Sequence, residues 1–131
     1  MDYRLEVVVV PVADVDRAKA FYAERVGFAV DHDSSFEGGG RVVQLTPPGS
    51  GCSIVIGTGL GAEMAPGSLQ GLQLVVHDVE AARAELAERG VEVGEVRLLG
   101  PEEMDGSRFV FFRDPDGNGW AVQQYRGGSA T

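Results

Sequence analysis

Residues 12–25 read VADVDRAKAFYAER, and residues 76–89 read VHDVEAARAELAER. The two segments lie 64 positions apart and are identical at eight of their fourteen positions. Two further pairs conserve charge, Asp16 with Glu80 and Lys19 with Arg83. Internal repetition of this kind indicates that one supersecondary unit is used twice.

Each copy carries the signals of an amphipathic helix. Asp14 and Asp78 precede the two helical segments, where a carboxylate accepts hydrogen bonds from the N–H groups of the first turn. Gly27 and Gly90 follow them, where a left-handed residue commonly ends a helix. The apolar residues recur at helical spacing and form one stripe per copy: Val15, Ala18, Phe21, Tyr22 and Val26, then Val79, Ala82 and Leu86.

Strand-like runs flank the first helix. An apolar run at residues 5–10 precedes it, and Pro11 ends that run. A second strand begins at residues 28–31, and the polar, glycine-rich residues 31–40 predict a hairpin or mobile loop. Two more strands are predicted at residues 41–46 and 52–57.

The second half repeats this order. Residues 72–76 predict a strand before the helix, and residues 91–96, 109–113 and 120–125 predict three strands after it, with an exposed loop at residues 99–107. The last two strands of each half are joined by a related turn, TPPGSG at 46–51 and DPDGNG at 114–119. The sequence therefore predicts an α+β fold of two tandem βαβββ modules. Within one domain, 1–131, module 1 covers residues 4–57, a linker covers 58–68 and module 2 covers 69–126.

The composition excludes several classes of protein. With 131 residues and 44% hydrophobic content, the chain is long enough for one packed domain. The net charge of −9 argues against a nucleic-acid partner, and the absence of a long apolar run argues against a membrane-spanning helix. A single cysteine, Cys52, and an N-terminus without a signal pattern favour a cytoplasmic protein.

Two motifs resemble the vicinal oxygen chelate superfamily, which includes glyoxalase I, extradiol dioxygenases and bleomycin-resistance proteins. The first is V-x-D-V-x-R-A-x-x-F-Y at residues 12–22, followed by V-G-F at 26–28, and the second is F-x-D-P-D-G-N-x-W at 112–120. The similarity extends over residues 5–125. It implies that the paired modules form a curved mixed sheet around a shared cleft, and that the protein is a homodimer.

The resemblance also implies where a catalytic metal would bind. In the family, His, Gln or Glu side chains from the first and fourth strands of each module hold one divalent ion. The matching positions here are Val7, Ser53, Gly71 and Ala121. A register shift of two residues selects Val9, Val55, Gln73 and Gln123 instead. The first set supplies none of the usual ligands and the second offers only two neutral amides, so we predict neither a metal ion nor another cofactor.

The same positions describe a site for a small organic molecule. Val7, Val9, Val55 and Ala121 would form apolar walls, and Ser53, Gln73 and Gln123 would supply hydrogen-bonding groups. Aromatic surface would come from Phe36 in its glycine-rich loop and from Phe112 and Trp120, although core packing is an alternative role for the last two.

Three functions are compatible with these residues. The first is metal-independent binding of an apolar or aromatic compound, as in antibiotic sequestration. The second is a lyase, isomerase or dioxygenase with displaced metal ligands or metal-free acid/base catalysis, for which His32 and a loop acid are candidate groups. The third is a scaffold with a vestigial cleft.

Overall fold

The computed structural model describes residues 1–60 and 64–127. Residues 61–63 of the predicted linker and the C-terminal residues 128–131 lie outside this description. The chain divides into two compact units. Unit 1 contains Met1–Leu69 together with Asp114–Asn118, and unit 2 contains Gln70–Arg113 together with the chain from Gly119 onward.

Unit 1 contains one helix-strand module. The elements are β1 (Val7–Val9), α1 (Val15–Ala20), β2 (Ala29–Ser35), β3 (Arg41–Thr46) and β4 (Ser53–Thr58). Helix α1 continues directly into a π-helical segment, Phe21–Val26. The four strands form a mixed sheet in the order β1-β4-β3-β2, in which β1 runs parallel to β4 and the other pairs are antiparallel.

Unit 2 repeats this arrangement. The elements are β5 (Leu72–Val76), α2 (Val79–Glu88), β6 (Arg97–Leu98), β7 (Arg108–Arg113) and β8 (Gly119–Gln124). The sheet has the order β5-β8-β7-β6, again with one parallel pair, β5 and β8, beside antiparallel ones. The predicted α+β class with two βαβββ modules is confirmed. In the described part of the chain, no helix is long and apolar enough to cross a membrane.

The predicted helix caps are present in both units. Asp14 Oδ1 accepts a hydrogen bond from the backbone N–H of Arg17 at 3.1 Å, and Asp78 Oδ1 accepts one from Ala81 at 3.0 Å. Gly27 adopts a φ of 94°, and Gly90 a φ of 88°. Both values lie in the left-handed region that glycine tolerates, so the repeated sequence ends both helical segments by the same means.

The side of the unit 1 sheet that faces α1 is apolar and buried. Because side chains alternate along a strand, every second residue of β3 and β4 lies on this side. These residues and the helical residues packed on them are at most 9% exposed: Ala18, Phe21, Tyr22, Val43, Leu45, Ile54 and Ile56. The opposite side, which we call the open face of unit 1, carries Val7, Val9, Gln44, Thr46, Ser53 and Val55.

The turn at residues 114–118 is held in unit 1 by a buried carboxylate. Asp114 is 5% exposed and accepts hydrogen bonds from the Tyr22 hydroxyl at 2.7 Å and the Asn118 side-chain amide at 2.8 Å. The backbone N–H groups of Asp116 and Asn118 each donate to its other oxygen at 2.9 Å. The Asp-Pro-Asp-Gly signal therefore marks a turn, as the sequence indicated.

Strand β2 extends further than the sequence predicted. Residues 31–35 belong to the strand, and the tight turn is confined to the following residues. A β-bulge between Val30 and His32 shifts the pairing with β3. Polar residues are tolerated here because β2 is an edge strand, and its Asp33 forms ion pairs with Lys19 and Arg41.

The second strand of module 2 also differs from its prediction. Residues 91–96 make only one bridge, from Val93 to Phe112, and the regular pairing is the two-residue β6. Val91 is 5% exposed and packs in the core. Apolar residues at 91 and 93 resemble a strand pattern. However, Val91 packs in the core after the helix, and Gly94 interrupts the run.

Candidate functional site

Strand register identifies the residues at the positions where the family binds metal. In unit 1, Val7 lies opposite Ser53 and Val9 opposite Val55. In unit 2, Gln73 lies opposite Ala121 and Val75 opposite Gln123.

The neighbour of Ala121 on β5 thus differs from the residue that the repeat indicated. The repeat placed Gly71 there, but Gly71 precedes β5. Val9 in unit 1 and Val75 in unit 2 occupy equivalent register positions. The segment from Val9 to the N-cap of α1 is two residues longer than the segment from Val75 to the N-cap of α2. This difference in loop length moves the counterpart of Val7 from Gly71 to Gln73.

The donor atoms at these positions do not fit a divalent metal ion. Val7 and Ala121 have no donor, Ser53 offers a neutral hydroxyl and Gln73 a neutral amide. Among residues 1–60 and 64–127, no group of three or more His, Cys, Asp or Glu side chains is arranged to hold a metal. We therefore derive no chemistry through such an ion.

Two phenylalanines dominate the opposite side of the unit 2 sheet from α2. Strand β7 places Phe109 opposite Gln123 and Phe111 opposite Ala121. The two rings are stacked with centroids 6.0 Å apart and an angle of 7° between their planes, and both are half-buried. We call this side the open face of unit 2; it carries Gln73, Val75, Phe109, Phe111, Ala121 and Gln123.

The side-chain amides of Gln73 and Gln123 and the guanidinium of Arg97 lie near the two phenylalanine rings. The Gln73 amide nitrogen donates to Gln123 Oε1 at 2.6 Å, and the Gln123 amide nitrogen donates to the Gly106 carbonyl at 2.8 Å. Arg97, which pairs with Phe109 across β6 and β7, lies 5.6 Å from the centroid of the Phe111 ring. The amides are thus oriented by one another, and the cation contacts the ring face in a cation–π geometry.

Phe112 and Trp120 lie on the other side of this sheet. Each is 3% exposed, and their rings stack with centroids 5.9 Å apart and nearly parallel planes. Alternation along β7 and β8 explains the placement, since neighbours of Phe111 and Ala121 must point toward α2. They serve as core residues rather than as open-face residues in this structure.

Sequence reasoning did not select Phe109, Phe111 or Arg97. The signal was present in RFVFFR, residues 108–113, where alternation separates Phe109 and Phe111 from Phe112. Which of the two sets faces the helix depends on the register with β8, and a short strand pattern with phenylalanines on both sides does not reveal it.

Phe36 lies in the turn between β2 and β3 and is 53% exposed. It lines a surface pocket of about 470 Å³ beside the start of α1, together with residues that include Asp16, Gly40, Arg41 and Thr58. Arg41 bridges Asp16 and Asp33 there, and these hydrogen bonds raise the pKa of the guanidinium above its usual value. Phe36 belongs to unit 1, whereas Gln73 and Gln123 belong to unit 2.

The open face of unit 1 combines apolar and polar residues. Val7 is 41% exposed, Val9 is partly exposed, and Val55 and Ser53 are buried. Ser53 Oγ lies 2.6 Å from Thr46 Oγ1 and accepts a long hydrogen bond, 3.4 Å, from the Gln44 amide.

A histidine and the single cysteine lie on or near this sheet. His32 is exposed on β2, where it pairs in register with Gln44. Cys52 is partly buried just before β4. Neither belongs to a cluster of potential metal ligands among the described residues.

Comparisons with known proteins agree with this architecture. The model of the Glyoxalase/Bleomycin resistance protein/Dioxygenase superfamily matches residues 4–122. TnmS3, an antibiotic binding protein from Streptomyces sp. CB03234, shares 39% sequence identity and superposes with a TM-score of 0.78, covering 95% of this chain and 97% of TnmS3.

Two further relatives span nearly the same length. A glyoxalase/bleomycin resistance protein from the same Streptomyces strain is 40% identical, with a TM-score of 0.74, covering 92% of this chain and 100% of that chain. YetH of Bacillus subtilis (strain 168) is 30% identical over 121 residues, 89% of this chain and 94% of YetH. The chain, as its two motifs indicated, belongs to the Glyoxalase/Bleomycin resistance protein/Dioxygenase superfamily.

Proposed function

We propose that this protein binds a small apolar or aromatic organic molecule without a divalent metal ion, in the manner of an antibiotic-sequestering protein. The observation that carries the proposal is the open face of unit 2, where two stacked phenylalanine rings adjoin a pair of oriented amides. A few placed polar groups within apolar surface are typical of sites for organic ligands. The likeness to TnmS3, an antibiotic binding protein, supports the same class of ligand.

The geometry of the face suits a flat ring. The Ala121 methyl group lies between Phe111 on β7 and Gln73 on β5, so a short side chain separates a ring from an amide. A ligand ring above this position would stack against phenylalanine and receive hydrogen bonds at its edge. Arg97 adds a positive charge beside the rings, which complements an oxygen acceptor or an anionic substituent.

The donor set supports metal independence. Of the side chains at the four family positions in this register, two are hydrocarbons, and the hydroxyl and the amide supply only two neutral donor atoms for a divalent ion.

Titration with the fluorescent probe 8-anilinonaphthalene-1-sulfonate tests the proposal, because the probe combines aromatic rings with an anionic group. We expect saturable binding that EDTA treatment leaves unchanged. Phe111→Ala should weaken binding about tenfold, the equivalent of losing about 1.4 kcal/mol of ring contact. Tyr3→Ala, which removes a ring that is 89% exposed and is not among the candidate site residues, is the matched control.

Two outcomes would contradict the proposal. One is an equal loss of affinity in the Phe111 and Tyr3 variants, which would indicate unspecific adsorption. The other is a tightly held stoichiometric metal ion in protein purified without chelator, since an enzyme with displaced ligands would then be the better explanation.

We also expect this protein to form a homodimer and to act in the cytoplasm. Exposed apolar side chains near the N-terminus, Tyr3 and Leu5, supply surface for association. Light scattering coupled to size-exclusion chromatography would measure the molar mass against the 13.9 kDa of one chain. Cell fractionation tests the location.

A further inference from the structure

The open face of unit 1 carries a chain of hydrogen bonds that the proposed function does not use. Thr46 donates its hydroxyl proton to the Asp31 carboxylate. Ser53 Oγ lies 2.6 Å from Thr46 Oγ1, and the Gln44 amide nitrogen donates to Ser53 at 3.4 Å. Four side chains from β2, β3 and β4 are thereby linked in sequence.

The direction of every hydrogen bond in this chain follows from its acidic end. A carboxylate only accepts, and a hydroxyl has a single proton. Because Thr46 gives its proton to Asp31, Ser53 must donate to Thr46, and Ser53 must then accept from Gln44. The amide group of Gln44 has the matching orientation, with its nitrogen toward Ser53.

This direction leaves the cluster with more acceptors than donors. Both hydroxyl protons are used within it, whereas both hydroxyl oxygens keep a lone pair. The Gln44 side chain uses one N–H on Ser53 and keeps a second N–H beside its acceptor oxygen Oε1. Asp31 is exposed and keeps further acceptor capacity.

A β-bulge explains why Asp31 joins the cluster. The register with β3 shifts between Val30 and His32, so Asp31 is the extra residue and has no partner on the neighbouring strand. Bulges of this kind redirect a side chain and are frequent beside functional sites. Here the bulge brings a carboxylate to the Thr46 hydroxyl on the open face.

From this geometry we propose that the cluster formed by Asp31, Gln44, Thr46 and Ser53 is a second binding surface, specific for a hydrogen-bond-donating group of an organic ligand. The cluster recognises a hydroxyl or an ammonium group of the ligand. Val55 and Val7, which flank Ser53 on the same face, would contact the hydrocarbon part of the ligand. Val7, Ser53 and Val55 are already candidates from the sequence; the proposal adds Asp31, Gln44 and Thr46 to them, names the chemical group that is recognised, and does not require the aromatic site on unit 2.

A series of three naphthalene probes tests this surface. 2-Naphthol and 1-naphthylmethylamine, which is an ammonium ion at neutral pH, donate hydrogen bonds, and 2-methoxynaphthalene does not. We expect the donating probes to bind about five- to tenfold more tightly to the wild-type protein, the effect of about one net hydrogen bond. Two-dimensional NMR spectra recorded during the titrations would report which residues respond.

Variants of the cluster sharpen the test. Thr46→Val and Ser53→Ala should reduce the preference for 2-naphthol over 2-methoxynaphthalene to about one. Asp31→Asn replaces a carboxylate, which only accepts hydrogen bonds, with an amide that also donates them. The direction of the hydrogen bonds in the cluster is then no longer imposed, and the preference for 2-naphthol should fall as in the other two variants or reverse. Ser34→Ala, which removes an exposed hydroxyl of β2 outside the cluster, should retain it. Dispersed NMR spectra establish that each variant folds.

The spectra separate the failure of this proposal from the failure of the proposed function. Shifts at Thr46, Ser53 and the Gln44 side-chain amide, combined with the donor preference, support the second surface. Shifts confined to β7 and β8, or equal affinities of the wild type for 2-naphthol and 2-methoxynaphthalene, overturn it while the aromatic site on unit 2 stands. The absence of shifts anywhere at millimolar probe overturns both.

Discussion

The Tyr22 hydroxyl donates a hydrogen bond of 2.7 Å to the carboxylate of Asp114, a residue 92 positions later in the chain. Both residues are buried, and the carboxylate receives three further hydrogen bonds from Asn118 and the backbone of Asp116. Burial of a charge is tolerated only when its hydrogen bonds are supplied, and here a helix residue and a turn supply them. The FY and DPDGN motifs therefore meet in unit 1 as one structural element.

Tyr22→Phe tests the energetic value of this contact. The variant retains the ring but removes a donor to a buried carboxylate, and we expect the free energy of unfolding to fall by about 2 kcal/mol. Urea denaturation monitored by circular dichroism measures the change. Tyr3→Phe makes the same substitution at a position that is 89% exposed and should have no effect. An unchanged stability of Tyr22→Phe would show that the hydrogen bond contributes nothing net.

Acid should weaken the ion pairs of Asp33. Hydrogen bonds from Arg41, and then from Lys19, hold the pKa of this carboxyl well below its usual value of 3.8. A lowered pKa in the folded protein adds stability above the unfolded pKa of about 3.9, and that stability is lost as the pH falls toward the folded value. Asp33→Asn should therefore lower Tm at pH 7, and its difference from the wild type should shrink below about pH 4.

Thermal unfolding between pH 7 and pH 2 measures this effect. Glu92→Gln, which neutralises an exposed acid that forms no ion pair within the described residues, is the control and should give a Tm difference near zero at pH 7. A Tm difference for Asp33→Asn that stays constant down to pH 2 would contradict the assignment.

Neighbouring phenylalanines on β7 should have opposite roles. Phe112 is 3% exposed and stacks on Trp120, so Phe112→Ala should cost about 3–5 kcal/mol of unfolding free energy. Phe111 lies on the open face and is half-buried. Phe111→Ala should cost less stability but should lose affinity for 8-anilinonaphthalene-1-sulfonate. The unfolding free energy and the affinity for the probe should both be measured on both variants. The assignment of Phe112 to the core fails if Phe112→Ala destabilises the protein less than Phe111→Ala does.

Neighbouring glutamines on β8 provide a second matched pair. Gln124 accepts a hydrogen bond from the Val79 backbone at the start of α2 at 3.0 Å, and it is 9% exposed. Gln124→Ala leaves that N–H unpaired and should lower the unfolding free energy by about 1–3 kcal/mol. Gln123→Ala should instead reduce affinity for the probe about fivefold, the loss of about one hydrogen bond. Fluorescence titration and urea denaturation of both variants separate the roles. Unchanged affinity in Gln123→Ala would remove this residue from the site.

The duplicated fold was predictable because its signals are local. Asp14 and Asp78 cap their helices, Gly27 and Gly90 end them, and apolar runs mark the strands. Each of these effects depends on residues a few positions apart, so periodicity and capping chemistry suffice to identify them.

The composition of the candidate surfaces was decided by tertiary structure. Gln73 rather than Gly71 lies beside Ala121 because one loop is two residues shorter, and Phe111 rather than Phe112 shares its face because β7 and β8 pair in that register. A one-residue shift in pairing exchanges the two faces of a strand, and nothing local in RFVFFR fixes it.

The sequence by itself determined two βαβββ modules, since these follow from residue identity and short-range pattern. Only the tertiary structure decided which polar groups lie together. The contacts of Asp31 with Thr46 and of Tyr22 with Asp114 depend on a bulge and on long-range packing. Neither leaves a periodic trace in the sequence, because the free energy of such contacts arises between segments that are far apart along the chain.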